Sequence, residues 1–315
     1  MTKLLGLASR VLLGEVPNFW LYSPSPPSYD LTRPLAAHFP PPSPSDTVKL
    51  ETTKEPVVIS SNHTALVIVD MQNFFLSPHL GAAPDSPANL AKNVLINTAI
   101  PAARKAGIRV AWLNWGFTDE ELDTVPPSVV KAFGFDKERR RFVDSGVAPH
   151  DNISADVRRP TEGLGFDIGR LDLGDGTIVE AGRMLMRDTW NMQLPPDLDR
   201  LYKEGLQLPD KPDLWIHKNR ISGFWAGNRQ ATQTLKEAGI KTLLFAGTKT
   251  DMCVMASLLD AWHEGFDVIL LKDACGTTSP DYASEAVAFN CARIWGFVTH
   301  SSDLEKGVEQ MLKSS

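Results

Sequence analysis

"LLFAGTKTDMCVMASLLDAWHEGFDVILLKD", residues 243–273, passes from one continuous apolar run through a helix-like segment into a second apolar run. Neither run alternates polar with apolar residues. Each therefore suits a strand covered on both faces, and an intervening helix makes the two strands parallel. The same rhythm extends outward. Strand-like runs occur at "ALVIVD" (65–70), "IRVAWLN" (108–114), "DLWIHK" (213–218), "KTLLFAG" (241–247), "DVILLKD" (267–273) and "GFVTH" (296–300). Helix patterns lie between them near 88–106, 228–239, 253–264 and 281–294. This is the pattern of an α/β fold, a parallel sheet with helices on both faces.

A chain of 315 residues with 43% hydrophobic content can bury a sizeable core. Its net charge of −6 and the lack of a basic stripe argue against a nucleic-acid partner, and "KERRR" (137–141) reads as a solvated face. No apolar run approaches the ~20 residues of a membrane span. Three scattered cysteines, Cys253, Cys275 and Cys291, form neither a disulfide framework nor a zinc pattern, which favours a reducing compartment, the cytoplasm. The start, "MTKLLGLASRVLLGEV", reads as an N-terminal arm, with a mitochondrial transit peptide as the alternative.

Residues 1–55 are expected to form a Pro-rich arm, extended and without regular elements, ahead of a domain over 56–315. Phe19, Trp20, Leu21 and Tyr22 in that arm need cover, either from the domain or from a neighbouring subunit. Residues 134–205 interrupt the strand–helix rhythm. "LDLGDGTIVEAG" there carries an Asp-Gly hairpin signal, and the whole segment reads as a lid or an oligomer contact. A homo-oligomer, dimer or tetramer, is expected.

A free cysteine usually packs as a small hydrophobe. Cys253 has other prospects because of what shares its end of the sheet. Ligands bind outside the carboxyl ends of parallel strands. There Asp70 closes "LVIVD", Lys218 closes "LWIHK", and Cys253 follows "LLFAG". Together they supply a base, a cation and a nucleophile. At the start of a helix, Cys253 would also have its thiolate favoured by the dipole. Just beyond the strand ends, Asn73, Phe74, Trp115, Phe224 and Trp225 are candidate pocket residues, and Arg220 is a candidate carboxylate binder. Thr277, Thr278 and Ser279 follow the fifth strand and are candidate lining. Cys275 and Cys291 read as packing residues.

"ALVIVDMQNFF", "HKNRISGFW" and "GTKTDMCVMASLLDAWHEGFDVILLKDACGTTSP" resemble, in that order, the motifs of the isochorismatase-like cysteine hydrolases. The likeness covers roughly residues 60–305. With its Pro-rich arm and "GRMLMRDTWN", the chain is most similar to the form common in fungi. The resemblance implies a doubly wound, Rossmann-like three-layer fold whose six parallel strands run in the order 3-2-1-4-5-6. It also implies an Asp70–Lys218–Cys253 triad. A cis peptide would join Thr248 to Lys249, and the amides of Lys249 and Cys253 would form an oxyanion hole. The family usually has a smaller or aromatic residue where Lys249 stands, and this ammonium is expected to face solvent. Asp251 reads as a hydrogen-bonding residue of the turn.

Two departures narrow the chemistry. The Asp-x-His metal motif of the family's nicotinamidases is replaced by "WLNWGFTDEE", with no histidine between His79 and His150, so neither a metal nor another cofactor is expected. True isochorismatases lack the cysteine. The expectation is a metal-independent hydrolase cleaving an amide, ureido or imide C–N bond of a small molecule through a thioester. The alternatives are a vinyl ether hydrolase and a weakly active ligand-binding or regulatory protein of the same fold.

Overall fold

The computed structural model describes residues 10–34, 43–133 and 163–314. Its centre is a six-stranded, wholly parallel sheet of β1 (Thr64–Val69), β2 (Arg109–Trp115), β3 (Leu214–Lys218), β4 (Thr242–Thr248), β5 (Asp267–Gly276) and β6 (Phe297–Thr299), in the order β3-β2-β1-β4-β5-β6. The expected order 3-2-1-4-5-6 is thus observed. All residues of β1 and β4 are buried, as unbroken apolar strands require when helices cover both faces. The helices around the sheet include Pro87–Val94, which continues to Lys105, then Gln230–Glu237, Met255–His263 and Asp281–Asn290. Among the described residues the strand–helix rhythm missed two longer helices, Pro196–Leu206 and Ser301–Lys313, and three short ones, Asn73–Leu76, Asp119–Asp123 and Pro127–Ala132.

The N-terminal segment departs from expectation. It is extended, but its strands pair. Val11–Glu15, Asn18–Pro24 and Pro27–Asp30 form an antiparallel meander, which joins Val57–Ser60 and Thr47–Leu50 in a second, five-stranded sheet. Pro17 and Pro26 fall in the two tight turns, so neither removes a donor from a strand interior. Phe19 and Leu21 are buried together. Trp20 packs on Tyr29 and Phe297, with ring centroids 6.2 and 5.5 Å away. The aromatic run therefore finds cover within its own chain.

Asp267, the first residue of β5, anchors this second sheet. It accepts two hydrogen bonds from Arg33 at 2.8 Å, one from Trp20 Nε1 at 2.7 Å and one from Thr242 Oγ1 at 2.9 Å. The Arg33 and Asp267 side chains are each only 4% exposed. The anchor lies at the amino ends of β4 and β5, away from the carboxyl ends where the candidate chemistry sits.

Of the 134–205 segment, residues 134–162, including "KERRR", lie outside the described residues. The rest contains the hairpin that the Asp-Gly signal predicts, Arg170–Asp172 against Ile178–Glu180. It then docks on the carboxyl end of the sheet, where Phe117 bridges Met186 and Arg187 Nε donates to the Gly116 carbonyl at 2.8 Å.

Removing one partner of a buried ion pair leaves a bare charge in the interior, at a cost of about 3–5 kcal/mol. Asp267→Ala is expected to lower unfolding free energy by that amount in urea titrations. Arg33→Met combined with Asp267→Asn should recover part of it. A loss below about 1 kcal/mol in the single variant would show that the pair does not anchor the N-terminal sheet.

Candidate functional site

The order β3-β2-β1-β4 sets four strand ends side by side. β1 leads into Asp70, β2 ends at Trp115, β3 ends at Lys218, and β4 leads through Lys249 to Cys253. Lys218 is register-paired with Trp115, and Val69 with Leu113. Two local features bring the turns close. Asp70 takes a left-handed φ of 54°, which a short polar residue tolerates better than most, and its N–H donates to the Leu113 carbonyl at 3.0 Å. Gly247, at φ 119°, passes so near Val69 that any side chain would collide with that residue's backbone. The β4 turn is thereby pressed against the end of β1. The Thr248–Lys249 peptide beyond it is cis, as the motif implies.

Asp70, Lys218 and Cys253 come together in this corner. Lys218 Nζ stands 3.0 Å from Asp70 Oδ2, with both side chains fully buried. The ammonium also donates to the carbonyls of Arg220 and Ile221 at 3.1 and 3.2 Å, and it lies 3.5 Å from the centre of the Trp115 ring. Neither Asp70 oxygen has a donor in full hydrogen-bonding geometry, so the pair is held by charge more than by direction. Burial raises the Asp70 pKa to about 6, against the opposing charge of Lys218, the Cys253 thiol and the Trp115 amide.

Cys253 is 2% exposed. Burial pushes its thiol up to about 12; Lys218 and Trp115 draw it down, and the Asp70 carboxylate pushes it further up. The expectation that a helix start would favour the thiolate is therefore overturned. Cys253 does lie in the first turn of a helical stretch, Thr250–Val254 leading into Met255–His263, but burial disfavours its charged form. At rest the proton belongs to sulfur and the negative charge to Asp70. Cys275 and Cys291 are also raised by burial and point at the Phe245 and Phe297 carbonyls, as packing residues.

The candidate pocket residues separate into three groups. Trp115 belongs to the cluster, fully buried beneath Lys218. Arg220 and Trp225 sit together beside the end of β3, the guanidinium 4.8 Å from the ring centre, and both bind Asn219. The others do not line the corner as expected. Phe74 packs edge-on against Phe75, and Phe224 lies in the core against Phe245 and Phe266. Asn73 holds the 163–205 segment, its side chain donating to the Trp190 carbonyl and its N–H to that of Gln193. Lys249 is also misplaced by the sequence reading. It is 5% exposed, not solvated, and its ammonium donates to Thr278 Oγ1 at 2.7 Å. Asp251 accepts from Thr277 Oγ1 at 2.6 Å, the turn role expected of it.

Residues that the sequence did not single out brace the corner. Gln72 is fully buried; its Nε2 donates to the carbonyls of Trp115 and Met192, and its Oε1 accepts from the Trp115 N–H. Glu121 receives Arg187 at 3.1 Å through both oxygens, Asn219 at 2.8 Å and the Thr118 N–H at 2.8 Å. The Thr118–Glu121 capping box was readable from spacing. The partners contributed by Arg187 and Asn219 were not. Among the described residues no three His, Cys, Asp or Glu side chains converge as metal ligands would.

Residues 187–301 match a family model described as the Isochorismatase domain. The chain is 25% identical over 275 residues to the ureidoacrylate amidohydrolase RutB of Rhizobium rhizogenes, covering 84% of this chain and 92% of that one. It is 27% identical over 252 residues to the protein of the same name from an Enterobacter species, covering 79% and 90%. Among solved structures, a cysteine hydrolase from Pseudomonas syringae shares the fold at a TM-score of 0.52 and 19% identity, covering 80% of this chain and 95% of that one. An isochorismatase family protein from Desulfovibrio vulgaris does so at 0.51 and 18%, covering 78% and 98%. In strand order, matched domain and relatives alike, the chain is similar to the isochorismatase-like hydrolases.

Proposed function

We propose that the chain is a cysteine hydrolase that cleaves a C–N bond of a small amide or ureide without a metal. The observation that carries this reading is the buried Asp70–Lys218–Cys253 cluster, in which a carboxylate of raised pKa faces a protonated thiol. The relatives named as ureidoacrylate amidohydrolases support the C–N bond class.

The electrostatics suggest the order of events. With the thiol near 12 and Asp70 near 6, proton transfer is uphill in the empty site. The thiolate therefore forms as it attacks. Asp70 takes the proton, sulfur adds to the carbonyl carbon, and the negative charge moves on to the carbonyl oxygen, supported by the backbone amides of Lys249 and Cys253. Lys218 faces both Asp70 and Cys253, so its charge offsets whichever of the two is anionic. Collapse of the adduct breaks the C–N bond, and the proton passes from Asp70 to the leaving nitrogen. Water, deprotonated by Asp70, then adds to the thioester and releases the acid and the thiol.

Cys253→Ala should reduce kcat/KM by at least ~10³-fold, the scale on which nucleophile removal is felt, while the circular dichroism spectrum stays that of the parent. Turnover retained in the folded variant would exclude the thioester route. The pH profile provides an independent check. Asp70 must be ionised to act as a base, and its pKa is raised to about 6. Hence kcat/KM should fall as pH drops through about 6, with no second decline through pH 9 because the thiol is not the group that titrates. An acid limb near the ordinary carboxylate range, about 4, would contradict the assigned base.

A further inference from the structure

Trp115 belongs to the buried cluster, yet its indole N–H takes no part in the proposed proton transfers. The residue ends β2 and is register-paired with Lys218 at the end of β3. Gln72 clamps its backbone, accepting from the N–H at 3.0 Å and donating to the carbonyl at 2.9 Å. Phe117 stacks on the ring with centroids 5.6 Å apart, and Phe133 meets it edge-on at 5.3 Å. The Lys218 ammonium lies 3.5 Å from the ring centre. A ring fixed at so many points holds its N–H in one direction. That N–H is buried and, among the described residues, has no partner in full hydrogen-bonding geometry. It acts on the Cys253 sulfur, which feels it as a hydrogen-bond donor.

An unmade hydrogen bond of a buried donor is costly, so this N–H needs a partner that the resting state lacks. A thiol sulfur is a weak acceptor, whereas a thiolate is an anion and draws a much stronger bond. The contact therefore tightens as the thiol proton leaves for Asp70, and it is worth more in the transition state than at rest. The Lys218 cation over the ring draws on its π electrons and leaves the N–H a better donor. Indole has no acceptor, so it keeps its own proton throughout and does not compete with Asp70 for that of the thiol. We infer that Trp115 is a further catalytic residue, whose indole N–H hydrogen-bonds the Cys253 sulfur as the thiolate forms and again as the thioester releases it. Given the hydrolase reading above, on which this assignment rests, the sulfur then has a donor of its own to match those of the oxyanion.

Two measurements on the full-length protein test this role without turnover. In the nuclear magnetic resonance spectrum of isotope-labelled protein, the indole signal absent from Trp115→Phe identifies Trp115 among the eight tryptophans. That signal should move in Cys253→Ala and stay in place in Cys291→Ala. The second measurement follows iodoacetamide alkylation of each cysteine by mass spectrometry at mildly alkaline pH. Trp115→Phe keeps an aromatic face for Lys218 but loses the N–H. It should slow modification of Cys253 by about tenfold or more, the scale of one hydrogen bond to a charged group. Cys275 and Cys291 should react as in the parent. Replacing Trp115 by its benzothiophene isostere, which keeps the full ring shape, should slow Cys253 by the same factor and so separate the N–H from the packing. An indole signal indifferent to Cys253→Ala overturns the role. So does alkylation of Cys253 at an equal or greater rate without the N–H, a greater rate marking Trp115 as packing that only shields the sulfur. Either result leaves the hydrolase reading intact, because that reading stands or falls with turnover by Cys253→Ala.

Discussion

Lys218 and Asp70 face each other with no exposure to water, and much of the corner's design can be understood as managing that placement. Taking two charges out of water costs several kcal/mol per ion, which their attraction offsets only when the remaining donors are satisfied. The ammonium meets this condition with two carbonyls and an aromatic face. The carboxylate does not, and its raised pKa records the shortfall. An under-solvated carboxylate is a stronger base than one in water, and here it stands beside a thiol. What counts as a defect in a stability calculation is what fits Asp70 to accept a proton.

Rigidity around the pair comes from groups that themselves never touch the sulfur. Gln72 ties the end of β2 to the segment around Met192, while Glu121 collects Arg187 and Asn219. Each bridge joins a strand end to the long excursion between β2 and β3. The excursion is therefore part of the corner's framework, and the distances within the cluster depend on its docking.

The central sheet was legible because its strands are continuous apolar runs, a pattern that survives without knowledge of partners. Asp70, Lys218 and Cys253 were legible for a related reason: each follows a recognisable strand, and the carboxyl ends of parallel strands share one edge. The N-terminal sheet was obscured by its prolines, which signal turns correctly but lower the apparent strand content of "NFWLYSP". The Lys249 rotamer, the core position of Phe224 and the thiol pKa depend on burial by residues far along the chain. No local pattern carries that information. Gln72 was missed because its partners, Trp115 and Met192, are 43 and 120 residues away.

The resting protonation of Cys253 bears on more than the order of proton transfers. Oxidants and electrophiles attack thiolates, and a sulfur that is 2% exposed and holds its proton up to about 12 presents very little thiolate to them. A nucleophile poised as a permanent thiolate would be vulnerable to peroxide whenever the site stood empty. On the proposed mechanism the thiolate forms only while a carbonyl is in place to consume it, and the burial that delays activation would also shield the sulfur from oxidants.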